Sequence, residues 1–165
     1  ILVFRSIKIH YERVAAQLSL QGVEAAARLP EMEHRIIVPI GDLNRASLRA
    51  LGYARSLTSS VRAVHVVTEG AEEAERLRRR WEKWGGDVQL VILESPYRAT
   101  VGPLMAYIES YQRRHPTVML TVLLPEFVPA HWWEHILHNQ SALRLKAALF
   151  FRKNTVVTSV PYHLS

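Results

Sequence analysis

The stretch Arg35-Ile-Ile-Val-Pro-Ile-Gly-Asp42 decides the fold of this chain. Every residue from Ile36 to Ile40 is apolar, which is typical of a strand that is buried on both faces of a parallel sheet. A helix is predicted over Leu43 to Ser59, and a second apolar strand over Val61 to Val67. A strand, a helix and a strand in this order form the repeating unit of an α/β protein.

The alternation continues to the end of the chain. Further strands are predicted over Val88–Leu93, Thr117–Leu124 and Thr155–Val160, and further helices over Ala71–Trp84, Thr100–Arg114 and Trp132–Arg152. With right-handed crossovers, this pattern predicts an α/β fold with a five-stranded parallel, doubly wound sheet in the order 3-2-1-4-5. A ligand crevice is expected where the strand order reverses, beside Gly41-Asp42 and Pro125-Glu126-Phe127.

The residues before this sheet follow another pattern. Apolar side chains recur at helical spacing at Ile7, Tyr11, Val14 and Leu18, which predicts an extra N-terminal helix over Ile7 to Leu20. Pro30 to Glu33 indicates a boundary. The predicted domains are therefore residues 1–33, a helix with a linker, and residues 34–165, the α/β domain.

An apolar stub, Ile1 to Phe4, opens the chain and is followed by Arg5 and Lys8. Lys and Arg accumulate on the cytoplasmic flank of membrane helices, so the stub is interpreted as the end of such a helix. An ordinary buried strand or helix turn is the alternative. The first interpretation places this domain on the cytoplasmic side of a larger membrane protein.

Composition narrows the classes of function. The 165 residues are 48% apolar and 22% charged, as in an ordinary globular domain. The absence of cysteine excludes disulfides and a cysteine nucleophile. The net charge of +6 is spread along the chain without a Lys/Arg tract, and no nucleic-acid-binding motif is present, so no nucleic-acid partner is expected.

A nucleotide is the ligand that the predicted crevice would suit. Gly41, Asp42 and Arg45 lie at the first loop and helix N-terminus, where backbone N–H groups favour an anion. Arg98 follows the third strand and Glu126 the fourth, so both are candidates for the same site. The alternative is that Asp42 or Asn44 only caps the helix. No phosphate-binding glycine loop and no catalytic arrangement can be identified, so no enzyme activity is expected.

His131-Trp132-Trp133-Glu134-His135 matches a zinc-protease pattern, H-x-x-E-H. So short a motif is common by chance, and few residues follow in which a third ligand could be found, so no metal is expected. Trp132 and Trp133 point about 100° apart on a helix. We expect one ring in the core and the other on a partner surface, unless the N-terminal helix covers both.

Two segments resemble known families. The unit formed by Arg35–Asp42, Leu48–Ser56 and Val61–Val66 resembles the opening of universal stress protein domains. Phe4 to Leu20 is similar to the segment after the last membrane helix in bacterial permeases of the amino acid–polyamine–organocation superfamily. The resemblance implies a non-catalytic, cytosolic regulatory or assembly domain of a transporter for amino acids, or for a related solute or cation. Its implied partners are the transmembrane body of the same polypeptide and a second copy in a homodimer.

One departure from the family concerns ATP. ATP-binding universal stress proteins carry a glycine-rich run, G-x-x-G-x9-G-[ST], after the fourth strand. Here Pro125 to Trp133 contains no glycine. We therefore expect no tightly bound cofactor and weak or no ATP binding. The alternative function is a nucleotide-sensing module, for a cyclic dinucleotide, AMP or ATP, that gates transport.

Overall fold

A computed structural model describes residues 2–19, 31–95, 99–128 and 140–163. The chain divides into two compact units, residues 1–31 and 32–165. In the first unit, helix α1 spans Leu2–Leu18, so it begins earlier than the apolar spacing predicted. Lys8 and Glu12 form an ion pair of 3.8 Å along its surface. Among the described residues, no helix is long and apolar enough to cross a membrane.

The second unit is an α/β sheet with helices on both faces. Its elements in chain order are β1 His34–Pro39, α2 Arg45–Leu57, β2 Val61–Val67, α3 Ala71–Trp84, β3 Gln89–Glu94, α4 Val101–Arg114, β4 Met119–Val128, α5 Gln140–Phe150 and β5 Thr155–His163. The strands lie in the order 3-2-1-4-5 and every pairing is parallel. The predicted fold class and strand order are therefore confirmed.

Strand β1 shows why this sheet forms. Its side chains alternate between two separate cores, as the two-residue period of a strand requires. Ile36 and Val38 pack on the side of α2 and α3, in one core with Trp81. Ile37 packs on the other side, in the core that contains Ile108. A strand buried on both faces must be apolar at nearly every position, which is what the sequence shows.

Strand β4 is longer than predicted. It was expected to end at Leu124, with Pro125-Glu126-Phe127 as a loop, but it continues to Val128. The reason is the parallel pairing with β5, which extends from Leu120↔Thr155 to Val128↔His163. Glu126 therefore lies within the strand, directly beside Pro161.

Helix α5 ends at Phe150 rather than at the predicted Arg152. Its predicted start at Trp132 lies outside the described residues.

Candidate functional site

A cavity of about 240 Å³ lies at the carboxyl ends of β1 and β4, where the strand order reverses. Its walls are mostly apolar and are formed by Pro39, Ile40, Gly41, Val64, Val66, Thr100, Val101, Leu104, Leu124, Pro125 and Leu145. Among these described lining residues, Thr100 contributes the one polar side chain. Such walls suit a flat ring with apolar faces, such as that of a nucleobase, better than they suit phosphates.

The N-terminus of α2 beside this cavity is capped by Asn44. Its side-chain oxygen accepts hydrogen bonds from Ala46 N and Ser47 N, both at 3.0 Å. In return, Asn44 N donates to Ser47 Oγ at 2.7 Å, which completes a capping box. Two of the backbone donors that a phosphate would need are therefore already bonded. Of the two residues expected as caps, the structure selects Asn44.

Asp42, in the loop between β1 and α2, binds an arginine of helix α3. Arg80 of α3 donates from one nitrogen to both carboxylate oxygens of Asp42, at 2.7 and 3.0 Å. A second nitrogen of Arg80 donates to the carbonyl of Leu43. Both side chains are about half exposed, so the pair is worth little in stability, but it fixes the loop between β1 and α2. Arg45, in the first turn of α2, is exposed.

Glu126 pairs with Lys146 of α5. Because side chains alternate along a strand, Glu126 lies on the same face of β4 as Val122 and Leu124, which belong to the core beneath α4 and α5. The Glu126 side chain is 13% exposed and that of Lys146 is 35% exposed. Apart from this ion pair, Glu126 Oε1 has no hydrogen-bond partner in the described structure. This pair lies beside Leu145 at the cavity.

A buried histidine, His65, contacts the start of the loop between β1 and α2. His65 on β2 contacts the carbonyl of Ile40 through Nδ1 at 3.0 Å and Glu73 Oε1 through Nε2 at 2.9 Å. The other oxygen of Glu73 accepts from Thr68 N and Glu69 N, at 2.9 and 2.7 Å. Burial alone raises the pKa of Glu73, but these two backbone donors and His65 outweigh it, so the pKa is lowered. The network ties the end of β1 to the start of α3.

The predicted site residues therefore divide into three groups. Gly41 lines the cavity, and Glu126 lies one residue beyond its rim at Pro125. Asp42 and Arg45 flank the loop, and Asp42 is committed to Arg80. Arg98, the Trp132–Trp133 pair and the H-x-x-E-H motif lie outside the described residues. Within the described ranges, no group of His, Asp and Glu side chains is arranged to hold a metal.

Sequence reasoning missed four side chains of this region: Arg80, Lys146, His65 and Glu73. The contacts of Arg80 and Lys146 arise from the tertiary structure and leave no local pattern. The sequence did carry a local pattern for the N-cap of α2, because Asn44 and Ser47 have the three-residue spacing of a capping box.

Comparison with known proteins identifies the family. The family model described as the KimA potassium transporter C-terminal domain matches residues 32–162, nearly the whole α/β unit. The chain belongs to this family. It is also 34% identical over 165 residues to the potassium transporter KimA of Bacillus subtilis (strain 168). That match covers 99% of this chain and 26% of the relative, so the chain spans about a quarter of the relative's length.

Among solved structures, a pantothenate synthetase from Thermus thermophilus is similar at 20% identity and a TM-score of 0.35. The match covers 87% of this chain and 60% of that one, and so low a score supports no inference about fold or function.

Membership of the KimA family supports the coarser part of the expectation, a C-terminal domain of a membrane transporter. It does not support amino acids as the substrate, because both the family and the relative are named for potassium.

Proposed function

We propose that this chain is the cytoplasmic regulatory and assembly domain of a potassium transporter and has no catalytic activity of its own. The observation that carries the proposal is the family match over residues 32–162, which coincides with the α/β unit. Potassium replaces amino acids as the proposed substrate. Residues 1–33 are proposed to connect this unit to the membrane body of the same polypeptide.

The finer relationships are also part of this proposal. A universal stress protein-like domain is supported by the parallel strand order 3-2-1-4-5. Membership of the parent in the amino acid–polyamine–organocation superfamily is supported by the resemblance of Phe4 to Leu20.

Potassium uptake by the full-length parent tests the main proposal. The parent gene is expressed in a host that lacks its own potassium uptake, and growth at low potassium and rubidium influx are measured. A deletion of residues 32–165 is expected to change the influx or its regulation while the protein remains in the membrane fraction. A parent that supports no potassium uptake, or that is recovered without detergent, would contradict the proposal.

The second candidate function is nucleotide sensing, and the cavity at the switch point favours it. We infer that a nucleobase occupies the apolar cavity beside Gly41 and that its phosphates face outward, toward Arg45 or Arg98. Arg98 and Glu126 belong to the same proposed set. The ligands to be tested are a cyclic dinucleotide, AMP and ATP, with ATP expected to bind weakly or not at all.

Titration calorimetry with each nucleotide tests this second candidate. An ideal Cβ on Gly41 meets nothing within 4 Å, so Gly41→Leu places a side chain at the cavity without a backbone clash and is expected to abolish binding. Gly52→Leu on the exposed face of α2 is the matched control, since its Cβ is equally free. A ligand at 100 times its dissociation constant should also add about 2.7 kcal/mol to stability. Binding that Gly41→Leu, Asp42→Ala and Arg45→Ala all leave unchanged would place the site elsewhere.

A homodimer is also proposed, with one ring of the Trp132–Trp133 pair on the surface that meets the partner. Sedimentation of the chain and of its Trp132→Ala and Trp133→Ala variants tests it. If both changes lower the stability of the monomer equally and leave association unchanged, the pair belongs to the core.

A further inference from the structure

Two adjacent phenylalanines project from the end of α5. Phe150 is 79% exposed and Phe151 is 86% exposed. Their rings pack edge to face, with centroids 5.4 Å apart. Leu143, two turns earlier on α5, is 68% exposed and lies seven residues before Phe150, on the same side of the helix. Three large apolar side chains are therefore exposed along one side of this segment rather than as single isolated residues.

Polar contacts hold the turn that carries these rings. Arg152 pairs with Glu109 of α4 at 3.2 Å. Gln112 Nε2 donates to the carbonyl of Lys153 at 3.2 Å, and Asn154 Nδ2 donates to the carbonyl of Pro116 at 3.3 Å. These three connections to α4 and the residues after it hold the backbone that follows the two rings, and the fully buried Leu149 holds the helix just before them. The rings are therefore presented outward by a structured turn.

Cationic side chains lie next to the turn that carries the two rings. Lys153 lies two residues after Phe151, and Arg113 and Arg114 end α4; all three are exposed. Arg113, Arg152 and Lys153 line a cavity of about 350 Å³ next to the turn, with Glu109 as its one described acidic residue. Arg144, next to Leu143 on α5, is also exposed. Because Glu109 is paired with Arg152, the surface has an excess of positive charge.

We propose that this aromatic–basic surface, formed by Leu143, Arg144, Phe150, Phe151, Lys153, Arg113 and Arg114, docks on an anionic phospholipid bilayer. Apolar rings inserted at headgroup depth beside Lys and Arg are the chemistry by which proteins bind such surfaces. The inference rests on the proposed function in one respect, since a transporter domain is always close to a bilayer. A symmetric contact between two copies fits less well, because it would bring the same cations face to face.

Vesicle co-sedimentation of the 165-residue chain tests the proposal. The chain should sediment with vesicles of phosphatidylcholine and phosphatidylserine and remain in the supernatant with phosphatidylcholine alone. Phe150→Ser/Phe151→Ser should weaken binding at least tenfold, because the inserted apolar area is lost. Arg113→Glu/Lys153→Glu should weaken it by about 25-fold or more, since each cation near an anionic surface contributes about fivefold.

Matched controls lie on the opposite face of the sheet. Tyr53→Ser/Trp84→Ser removes two other exposed aromatic side chains, and Arg78→Glu/Arg79→Glu reverses two other exposed charges. Both should bind as the unchanged chain does. Since all the substituted residues are exposed, the unfolding midpoints should agree within experimental error and confirm that the variants fold.

Three outcomes would overturn the proposal. The first is equal binding to vesicles with and without phosphatidylserine. The second is that an α1 variant, Ile7→Ser/Tyr11→Ser, loses vesicle binding while the Phe150/Phe151 variant binds as the unchanged chain does. The third is a lipid-free dimer that the Phe150/Phe151 variant converts to a monomer, which would make the surface a contact between copies. None of these measurements depends on potassium uptake, so failure here leaves the proposed transporter role standing.

Discussion

Replacing Glu73 with glutamine should destabilise the α/β unit and make its stability less dependent on pH. The carboxylate accepts three hydrogen bonds, one from His65 Nε2 at 2.9 Å and two from Thr68 N and Glu69 N at 2.9 and 2.7 Å. Glutamine has nearly the same shape, but its amide NH2 replaces one of the two accepting oxygens, so the substitution removes the charge and one acceptor. Hydrogen bonds to a charged group contribute about 1.5–3 kcal/mol, against about 0.5–1.5 kcal/mol for neutral ones.

The expected loss in the free energy of unfolding at pH 7 is therefore about 2 kcal/mol. If each of the three contacts is weakened or lost at a cost of about 1 kcal/mol, the sum is about 3 kcal/mol. That sum is reduced because the Glu73 side chain is 17% exposed and Glu69 lies at the surface, where water screens the charge.

The pH dependence gives the sharper test. The pKa of Glu73 is lowered in the folded state, so its ionised form stabilises the protein above the unfolded pKa of about 4.3. This contribution is lost as the pH falls through the lowered folded value. Urea unfolding should show the full difference between the chain and Glu73→Gln at pH 7, and the difference should shrink below about pH 4.

The neighbouring residue supplies the control. Glu72 lies in the same first turn of α3 and is exposed, so Glu72→Gln removes the same charge from the helix N-terminus without the buried contacts. Its cost should stay below about 1 kcal/mol, the usual size of a helix-dipole interaction. A Glu73→Gln effect no larger than that of Glu72→Gln, or one that persists undiminished at low pH, would refute this account of the network.

Three further changes have defined outcomes. Asn44→Ala should lower the free energy of unfolding by about 1 kcal/mol, while Asn44→Asp should stay close to the unchanged chain, as urea unfolding will show. Lys146→Met should cost about 1–2 kcal/mol because it leaves the largely buried Glu126 carboxylate unpaired, and the double variant Glu126→Gln/Lys146→Met should recover part of that loss. Elemental analysis of protein purified without chelators should find no stoichiometric zinc, and zinc that disappears in His131→Ala/His135→Ala would contradict that expectation.

The strand order was predictable because the sequence marks each strand strongly. Ile36 to Ile40 is apolar at every position, and the structure buries Ile36, Ile37 and Val38 almost completely. Strands of this kind need helices on both faces, and right-handed crossovers then leave few orders open. The end of β4 was not predictable in the same way, because Pro125 and Glu126 are common loop residues and only the pairing with β5 makes them part of a strand.

The place of the candidate site was predictable, but its charges were not. The reversal of strand order located a cavity beside Gly41. Asp42 meets Arg80 across 38 positions of the chain, and no local pattern reports a contact of that separation. The side chains that decide the chemistry of the cavity are therefore known only from the packing of α3 and α5 against the sheet.

These charges bear on which nucleotide the proposed site would accept. Several groups that could bind a phosphate already have partners. Asn44 accepts hydrogen bonds from two backbone N–H groups at the start of α2. Arg80 is paired with Asp42, and Lys146 is paired with Glu126. Among the described cations beside the cavity, Arg45 then has the fewest competing contacts for a phosphate. A triphosphate carries the most charge and would have to break one of these pairs to be neutralised, whereas AMP or a cyclic dinucleotide could rely on burying a base against apolar walls. The expected weakness of ATP therefore has a cause in the structure that is independent of the missing glycine-rich run.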